Sequence, residues 1–288
     1  MTPTPIEFVG AEGNRLAADL WDGGGQPVLF LHGGGQTRHA WNLTARRVAK
    51  AGMRAITVDL RGHGESEWVK SGNYSFAAYG ADTASLIRQI AARFDRKPSA
   101  VGASLGGLSS LIAELDDGPL LDLLVLVDVT PRMDINGVAK ILGFMSAQLE
   151  EGFGSLEEAA DAISAYLPNR RRSGQLGGLR KNLRLDADGR FRWHWDPAFV
   201  TSDRNINFAG AEMMEGLLAR LPELQLPVLL VRGMESELIG EAAAHEFVES
   251  VPQASYVDVV GAGHMVAGDR NDVFSQAVLD FLGARQAA

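Results

Sequence analysis

The stretch Val101-Gly-Ala-Ser-Leu-Gly-Gly-Leu108 places Ser104 at the centre of a Gly-x-Ser-x-Gly pattern. The residues just before it predict a short strand, and apolar residues recur at helical spacing from Leu105 onward. The pattern therefore has the strand, sharp turn and helix that a nucleophile elbow requires. Its two outer glycines remove the Cβ atoms that would collide in so tight a turn. We interpret Ser104 as a nucleophile whose hydroxyl is presented above the edge of a sheet.

Composition limits the class of protein. The 288 residues suffice for one large α/β domain, or for one domain with an insertion, and the 46% apolar fraction supports a substantial core. The net charge of −9 comes from interspersed acidic and basic residues, without the basic patch that nucleic acid or an anionic membrane attracts. The expected partner is a small molecule, with no nucleic acid and no membrane, while a homodimer is left open.

The chain contains no cysteine, which excludes disulfides, a thiol nucleophile and thiolate metal sites. The opening Met1-Thr-Pro-Thr-Pro5 lacks the basic start and apolar stretch of a signal peptide. The longest apolar run, near Leu120 to Val129, is interrupted by two aspartates and is too short to span a bilayer. These features predict a soluble, cytoplasmic protein.

The chain alternates between predicted strands and predicted helices. An antiparallel hairpin is predicted from Ile6 to Val9 and from Leu16 to Trp21. Further strands are predicted at 28–31, 54–59, 99–103, 123–128, 228–231 and 256–259. Helices are predicted near 38–50, 78–94, 105–115, 240–250 and 271–284. This order predicts an α/β fold with a mostly parallel, doubly wound sheet.

The alternation stops between residues 131 and 221, where helix-like pieces follow one another at 137–149, 155–166 and 213–221, with a basic turn at 170–172. Ser155-Leu-Glu-Glu158 has the spacing of a capping box and predicts that a helix begins there. We therefore divide the chain into a core of residues 1–130 and 222–288 and an inserted helical cap, or lid, of residues 131–221.

Two glycine-rich segments carry candidate catalytic groups. The segment His32-Gly-Gly-Gly35 follows a predicted strand, and its glycines let backbone N–H groups approach a reacting carbonyl oxygen. The amides of Gly34 and Leu105 are the candidate oxyanion hole, and Gly33 is a candidate substrate contact. His264 follows the last predicted strand in Gly-Ala-Gly-His, where a loop histidine could act as the general base of Ser104.

The acid that would orient His264 has two candidates. Asp128 ends an apolar strand, and Glu237 follows the next strand in Arg-Gly-Met-Glu-Ser-Glu. Both positions fall at the carboxyl edge of the predicted sheet, where sites form in open α/β sheets. We favour Asp128, because a carboxylate at the end of an apolar strand is costly without a partner, whereas Glu237 lies among other polar residues. Glu237 stays the alternative acid.

Two other histidines are interpreted as structural. His32 braces its own loop, and His63 belongs to the loop Asp59-Leu-Arg-Gly-His-Gly64. His194 is interpreted as a contact made by the cap. None of the three has the position after the last strand that a general base in this order of residues requires.

Together these motifs resemble the α/β-hydrolase superfamily along nearly the whole chain. The resemblance rests on His32-Gly-Gly-Gly, Asp59-x-Arg-Gly-His-Gly, the pattern around Ser104, the interposed cap and Gly263-His264. It implies the α/β-hydrolase fold and a Ser-His-acid triad. The segment after Val127 is similar to the dehalogenase and epoxide hydrolase branch, whose acid follows that strand, whereas Arg232-Gly-x-x-Ser-Glu237 is similar to branches whose acid follows the next strand and is an aspartate.

One departure from that branch bears on the chemistry. Dehalogenases and epoxide hydrolases of this fold use an aspartate nucleophile, because an alkyl ester of the enzyme can be hydrolysed and an alkyl ether of serine cannot. Position 104 is serine, so we expect acyl transfer: hydrolysis of a carboxylic ester or lactone, with no metal or organic cofactor. The alternatives are C–C bond hydrolysis of ring-cleavage products, cofactor-free oxygen chemistry, or a protein that binds a small ligand without turnover.

The predicted cap is rich in aromatic and methionine side chains, which suit a bulky apolar acyl or aryl group. Trp193 and Trp195 alternate along an extended segment, so both rings would face the same side and line a pocket. Met133, just after the strand that ends in Asp128, is a further candidate substrate contact.

Overall fold

The computed structural model describes residues 1–166, 179–207, 209–264 and 271–284. Its centre is an eight-stranded sheet in the order β1-β2-β4-β3-β5-β6-β9-β10, in which the pairs β1/β2 and β2/β4 are antiparallel and the others parallel. The strands are β1 (Thr4–Val9), β2 (Arg15–Asp22), β3 (Pro27–Leu31), β4 (Arg54–Val58), β5 (Ser99–Ala103), β6 (Leu124–Val127), β9 (Val228–Gly233) and β10 (Ala254–Val259). The predicted hairpin and mostly parallel sheet are confirmed.

Helices cover both faces of this sheet, as a doubly wound fold requires. They are α1 (Asn42–Lys50), α2 (Phe76–Phe94), α3 (Leu105–Asp117), α8 (Glu241–Ser250) and α9 (Asn271–Ala284), and a 3₁₀ helix (Arg38–Trp41) precedes α1. Helices α1 and α9 contribute apolar side chains to the core on one face, and α2, α3 and α8 contribute to the larger core on the other. No helix within the described ranges has the length and apolar composition needed to cross a membrane.

The parallel strands bring distant parts of the chain to one edge of the sheet. Ala103, Val127 and Val231 are neighbours in register across β5, β6 and β9. The residues that follow them therefore start side by side, and the N–H of Ser104 donates to the carbonyl of Val127 at 3.2 Å. The central strands are buried on both faces, and β3 is buried along its whole length. This edge of the sheet carries the candidate site.

The segment between β6 and β9 lies outside this sheet. It contains α4 (Ile135–Ser146), α5 (Leu156–Tyr166), a 3₁₀ helix (Leu179–Asn182), β7 (Leu183–Leu185), β8 (Phe191–Trp193), α6 (Ala198–Thr201) and α7 (Gly210–Arg220). The prediction of helix-like pieces alone was incomplete, because β7 and β8 form an antiparallel pair. Strands of three residues are too short to show a period of two. The basic turn predicted at 170–172 lies outside the described residues.

The helix α5 begins where the capping box at Ser155 to Glu158 predicted a helix start. The hydroxyl of Ser155 accepts from the N–H of Glu158 at 3.1 Å. The Glu158 carboxylate accepts from the N–H of Gly154, one residue before the N-cap position where a capping box would place this bond. One of the four unpaired N–H groups at the helix start, that of Glu158, is thus satisfied by a side chain.

The inserted segment is fixed to the core through the loop that follows β4. The N–H of Gly64 donates to the carbonyl of His194 at 2.7 Å, and the N–H of Asp196 donates to the carbonyl of Gly62 at 2.8 Å. The hydroxyl of Tyr74 donates to the Asp196 carboxylate at 2.6 Å. The main-chain contact of His194 agrees with its interpretation as a residue that joins the insertion to the core.

Candidate active site

Ser104 occupies the turn between β5 and α3 with φ +45° and ψ −113°. This region of backbone space is strained for a residue with a side chain, so the surrounding packing must hold it. A Cβ on Gly102 would lie 2.5 Å from the carbonyl oxygen of Gly106, and a Cβ on Gly106 would lie 2.4 Å from that of Leu31. The strand and helix can approach this closely only because both positions are glycine. The turn has the geometry that exposes a serine side chain at the sheet edge.

The structure brings His264 to Asp128. Nδ1 of His264 lies 2.8 Å from Oδ2 of Asp128, whose side chain is fully buried. The same oxygen accepts from the hydroxyl of Ser236 at 2.6 Å, and Oδ1 accepts from the N–H of Gly233 at 3.0 Å. A buried carboxylate with three donors is well satisfied as an anion. Its position directs an Nδ1–H tautomer of His264 and leaves Nε2 without that proton.

Glu237, the alternative acid, pairs with a lysine of α4. Its carboxylate lies 4.0 Å from Nζ of Lys140, and it is not among the residues that line the cavity beside Ser104. Its neighbour Ser236 instead reaches the site through Asp128. Sequence reasoning missed Ser236, although its place one residue before the alternative acid was a signal that this loop approaches the histidine.

The glycine-rich loop after β3 lies against the nucleophile turn. A Cβ on Gly33 would lie 3.5 Å from Cβ of Ser104, so the two backbones pass close together. No other described residue accepts a hydrogen bond from the N–H of Gly34 or of Leu105. Leu105 is the first residue of α3, where the helix dipole adds a partial positive charge. Both N–H groups are therefore available to a ligand oxygen.

Two buried histidines fix this loop. Nε2 of His63 accepts from the N–H of Gly35 at 3.1 Å, and its Nδ1 lies 2.9 Å from the carbonyl of Arg61. Nε2 of His32 accepts from the N–H of Leu60 at 3.0 Å, and its Nδ1 lies 2.8 Å from the carbonyl of Gly33. Burial lowers the pKa of His32 to about 4 and that of His63 to about 3. Both rings are neutral near pH 7, as an accepting Nε2 requires.

A buried ion-pair network supports the loop that contains His63. The Asp59 carboxylate accepts from the N–H of Arg38 at 2.6 Å and from the N–H of Glu65 at 2.9 Å, and it also bonds the Arg38 guanidinium. A Cβ on Gly64 would lie 2.2 Å from Asp59 Oδ2. The Asp59-to-Gly64 motif thus folds tightly around one carboxylate, which explains its structural part in the site.

A cavity of about 240 Å³ opens beside Ser104 and His264. The four sequence-predicted substrate contacts, Gly33, Met133, Trp193 and Trp195, all line it. The other lining residues are largely apolar and include Phe76, Leu108, Val138, Ile141, Leu142, Phe144, Met145, Ile163, Phe199, Ile206 and Leu238. An apolar cavity with a few polar groups in its lining suits a small organic ligand. The described residues contain no group of three His, Asp or Glu side chains placed to hold a metal ion.

Comparison with known proteins agrees with this architecture. A sequence model of the alpha/beta hydrolase family matches residues 28–277, which is most of the chain. The chain therefore belongs to the alpha/beta hydrolase family, and the fold that the sequence motifs implied is confirmed.

Similar proteins include the esterase Rv0045c of Mycobacterium tuberculosis, which is 30% identical over 98% of this chain and 91% of its own length. A structure of that esterase is 28% identical, with a TM-score of 0.75 over 98% of this chain and 93% of that one. A 3-hydroxybutyrate-oligomer hydrolase of Cupriavidus necator is 27% identical over 87% of each chain. The crystal structure of E-2-(acetamidomethylene)succinate hydrolase is 24% identical, with a TM-score of 0.77 over 98% of this chain and 99% of that one, a likeness of fold.

Proposed function

We propose that this protein hydrolyses a carboxylic ester or lactone through an acyl-enzyme formed on Ser104. The observation that carries the proposal is the geometry at the sheet edge: Ser104 on a strained turn and His264 line one apolar cavity, and His264 is bonded to buried Asp128. Serine, histidine and acid in these roles define nucleophilic acyl transfer on several unrelated folds. The similarity to an esterase at 30% identity supports the same reaction class.

In the first half of the reaction, the Ser104 hydroxyl attacks the ester carbonyl carbon while Nε2 of His264 takes its proton. The C–O bond to the alcohol then breaks, and the alcohol leaves with the proton that His264 held. Asp128 keeps the ring in the Nδ1–H tautomer and stabilises the imidazolium that forms. The N–H groups of Gly34 and Leu105 donate to the carbonyl oxygen as it becomes negative.

In the second half, a water molecule gives a proton to His264 and attacks the acyl carbon. The bond to Ser104 breaks, and the serine oxygen recovers its proton as the carboxylic acid leaves. A lactone follows the same steps, except that its alcohol stays attached to the acyl group. Every proton moves through Nε2 of His264, so the reaction balances without a metal or an organic cofactor.

The apolar cavity supports a substrate whose acyl or aryl group is large and uncharged. We assign residues 131–221 as the cap that selects it, because this segment supplies most of the cavity wall, including Met133, Trp193 and Trp195. Burying apolar substrate surface contributes roughly 25 cal/mol per Å² before the costs of association are subtracted.

Replacement of the nucleophile tests the proposal. Ser104→Ala is expected to lower kcat for p-nitrophenyl butyrate by about 10³-fold or more, since the acyl-enzyme cannot form. Ser110→Ala is the matched control, because it removes a buried hydroxyl of α3 that donates to the carbonyl of Gly106 at 2.8 Å. A burst of p-nitrophenol in the parent protein would report the acyl-enzyme. Full activity of Ser104→Ala would refute the mechanism.

A further inference from the structure

The β9–α8 loop, residues 234–240, bonds the candidate acid through Ser236. The Ser236 hydroxyl donates to Oδ2 of Asp128 at 2.6 Å. Its oxygen also accepts from the N–H of Leu238 at 3.1 Å and from that of Ile239 at 3.3 Å. A serine hydroxyl has one proton and two lone pairs. Because the two N–H groups occupy the lone pairs, the single proton of Ser236 is directed at Asp128.

The β9–α8 loop also contacts the segment that carries the candidate base. The N–H of Glu235 donates to the carbonyl of Ala262 at 2.9 Å, two residues before His264. Just before the loop, a Cβ on Gly233 would lie 2.4 Å from the carbonyl oxygen of Gly263. The end of β9 and the residues before His264 therefore pass close together, and one loop holds both the acid and the histidine side of the site.

The start of α4 lies against the same loop. The N–H of Asp134, the N-cap residue of α4, donates to the carbonyl of Leu238 at 2.9 Å. Three residues further on, a Cβ on Gly137 would lie 2.2 Å from the carbonyl oxygen of Glu237. This separation is far below van der Waals contact, so only glycine lets the helix and the loop meet here. Glycine within a helix is destabilising relative to alanine, and the close contact is a structural reason for it at this position.

Helix α4 also forms part of the wall of the cavity beside Ser104. Val138 and Met145 are among its side chains that line this cavity, and Leu238 lines it from the β9–α8 loop. Leu238 is 2% exposed, and its Cδ2 would lie 3.1 Å from a Cβ on Gly137. The first turn of α4 thus contacts the loop that bonds the acid, while its later turns contact the cavity.

We propose that Gly137 is a positioning residue for the acid, Asp128. Its missing side chain lets the main chain of Glu237 lie against α4, and this contact holds Ser236 where its hydroxyl bonds the acid. The inference rests on the proposed function, because it concerns how the acid of that reaction is held. An atom added at position 137 is expected to displace the Glu237 carbonyl and Ser236 with it, which weakens the bond that orients the histidine.

Two alanine substitutions in α4 test the contact. Gly137→Ala places a methyl group against the Glu237 carbonyl, whereas a Cβ on Gly143 meets no atom within 4 Å. Both changes replace glycine within the same helix, so Gly143→Ala is the matched control for helix propensity. With p-nitrophenyl acetate, Gly137→Ala is expected to lower kcat about tenfold, as the loss of the Ser236 bond would, and Gly143→Ala to change kcat less than about twofold. Parental activity of Gly137→Ala would overturn the inference.

The length of the acyl group separates an effect on the acid from an effect on the cavity wall. The acetyl group is too short to contact much of the wall that α4 forms, whereas the butyryl group extends further into the cavity. An effect through Asp128 lowers kcat for both p-nitrophenyl esters by a similar factor, since both use the same histidine. A loss confined to p-nitrophenyl butyrate would overturn the inference, because α4 would then act only on substrate binding.

A double-mutant cycle with Ser236→Ala shows whether Gly137 acts through this hydroxyl. Independent losses multiply, which would give about 100-fold in the double variant, whereas losses along one path do not. We expect the double variant to lose about as much kcat as Ser236→Ala alone, roughly tenfold. A multiplicative loss would overturn the inference, since Gly137 would then act by another route.

Circular dichroism and urea unfolding show whether each variant is folded. If Gly137→Ala is unfolded, Asp134→Ala takes its place in the cycle, because it removes the side-chain bonds to the N–H groups of Asn136 and Gly137 at 2.8 and 3.0 Å. It should lower kcat by a smaller factor, and not in the Ser236→Ala background; parental kcat would overturn the inference. In each overturning case the parent still hydrolyses p-nitrophenyl esters, so the proposed function would stand. A parent protein without ester hydrolysis would remove both.

Discussion

Replacing Asp128 with asparagine isolates the part played by its charge, since the two side chains have nearly the same shape. In the structure, Gly233 N–H donates to Oδ1, and His264 Nδ1 and Ser236 both approach Oδ2. The Gly233 bond fixes the amide oxygen of an asparagine at the Oδ1 position. The amide NH₂ must then face His264, where the carboxylate oxygen stood.

That arrangement is expected to change which ring nitrogen of His264 carries the proton. An NH₂ group cannot accept from Nδ1–H, so the ring is expected to move its proton to Nε2 and to accept at Nδ1. Nε2 is then unable to take the proton of Ser104. In a serine protease, replacing the triad aspartate with asparagine leaves the geometry intact but lowers kcat about 10⁴-fold, because the histidine takes the wrong tautomer. We expect Asp128→Asn to lower kcat by about 10³- to 10⁴-fold.

The assay is steady-state hydrolysis of p-nitrophenyl butyrate by Asp128→Asn, beside Glu237→Gln as the matched control. Glu237 makes one long ion pair with Lys140 and is expected to change kcat less than about twofold. Circular dichroism and urea unfolding would show whether each variant is folded. An Asp128→Asn protein that keeps more than a tenth of the parent activity would refute the assignment, and so would an equal loss in Glu237→Gln.

Three further predictions concern the supports of the site. Ser236→Ala should lower kcat/KM about tenfold, because Asp128 loses a donor worth about 1.5–3 kcal/mol, and Ser236→Thr, which keeps the hydroxyl, should lose less; equal losses would contradict this role. His32 and His63 have folded pKa values below the unfolded value of about 6.5, so the stability that each neutral ring contributes is lost as pH falls below 6.5. Between pH 7 and pH 5, each histidine should lower the free energy of unfolding, measured with urea, by about 2 kcal/mol. This decrease should be smaller in His63→Gln than in the parent protein. Gly106→Ala should unfold at clearly lower urea than the parent, since its Cβ would meet the Leu31 carbonyl at 2.4 Å, and a wild-type midpoint would refute the close-packing argument.

Much of the sheet could be predicted because local signals are strong there. Buried strands such as β3 and β5 are short apolar runs bounded by turn residues, and the helix after Ser104 has a clear period. The motifs around Ser104 and His264 reside in single loops, so sequence alone could name both residues. Residues that belong to such a local motif can be identified without knowing which distant parts of the chain they contact.

Sequence alone favoured Asp128 but kept Glu237 as an alternative, because the choice of acid depends on directions in space. Asp128 and Glu237 follow strands that are neighbours in the sheet, so position along the edge does not separate them. What differs is the backbone: Asp128 has φ +49°, and its side chain receives His264, while Glu237 faces Lys140. Neither orientation has a signature in the amino-acid order.

The small β7/β8 sheet and the packing of aromatic rings within the inserted segment were also out of reach of pattern reasoning. The pair β7/β8 closes through a turn at Asp186 to Gly189, whose Asp-Gly dipeptide was a usable signal that the short flanking strands obscured. Phe144 on α4 packs against Tyr166 on α5 and against Trp193 on β8. Contacts among three separate elements exist only once the inserted segment has folded.

The most direct test of the account is the site of covalent labelling by a fluorophosphonate, which reacts with a serine only when a base has activated it. The parent protein is incubated with the probe, digested, and the modified residue is located by mass spectrometry, with Ser104→Ala and Asp128→Asn treated in parallel. The account predicts modification at Ser104 in the parent and strongly reduced labelling in both variants. Modification at another residue, or an unlabelled Ser104 in a protein that still hydrolyses p-nitrophenyl butyrate, would contradict it.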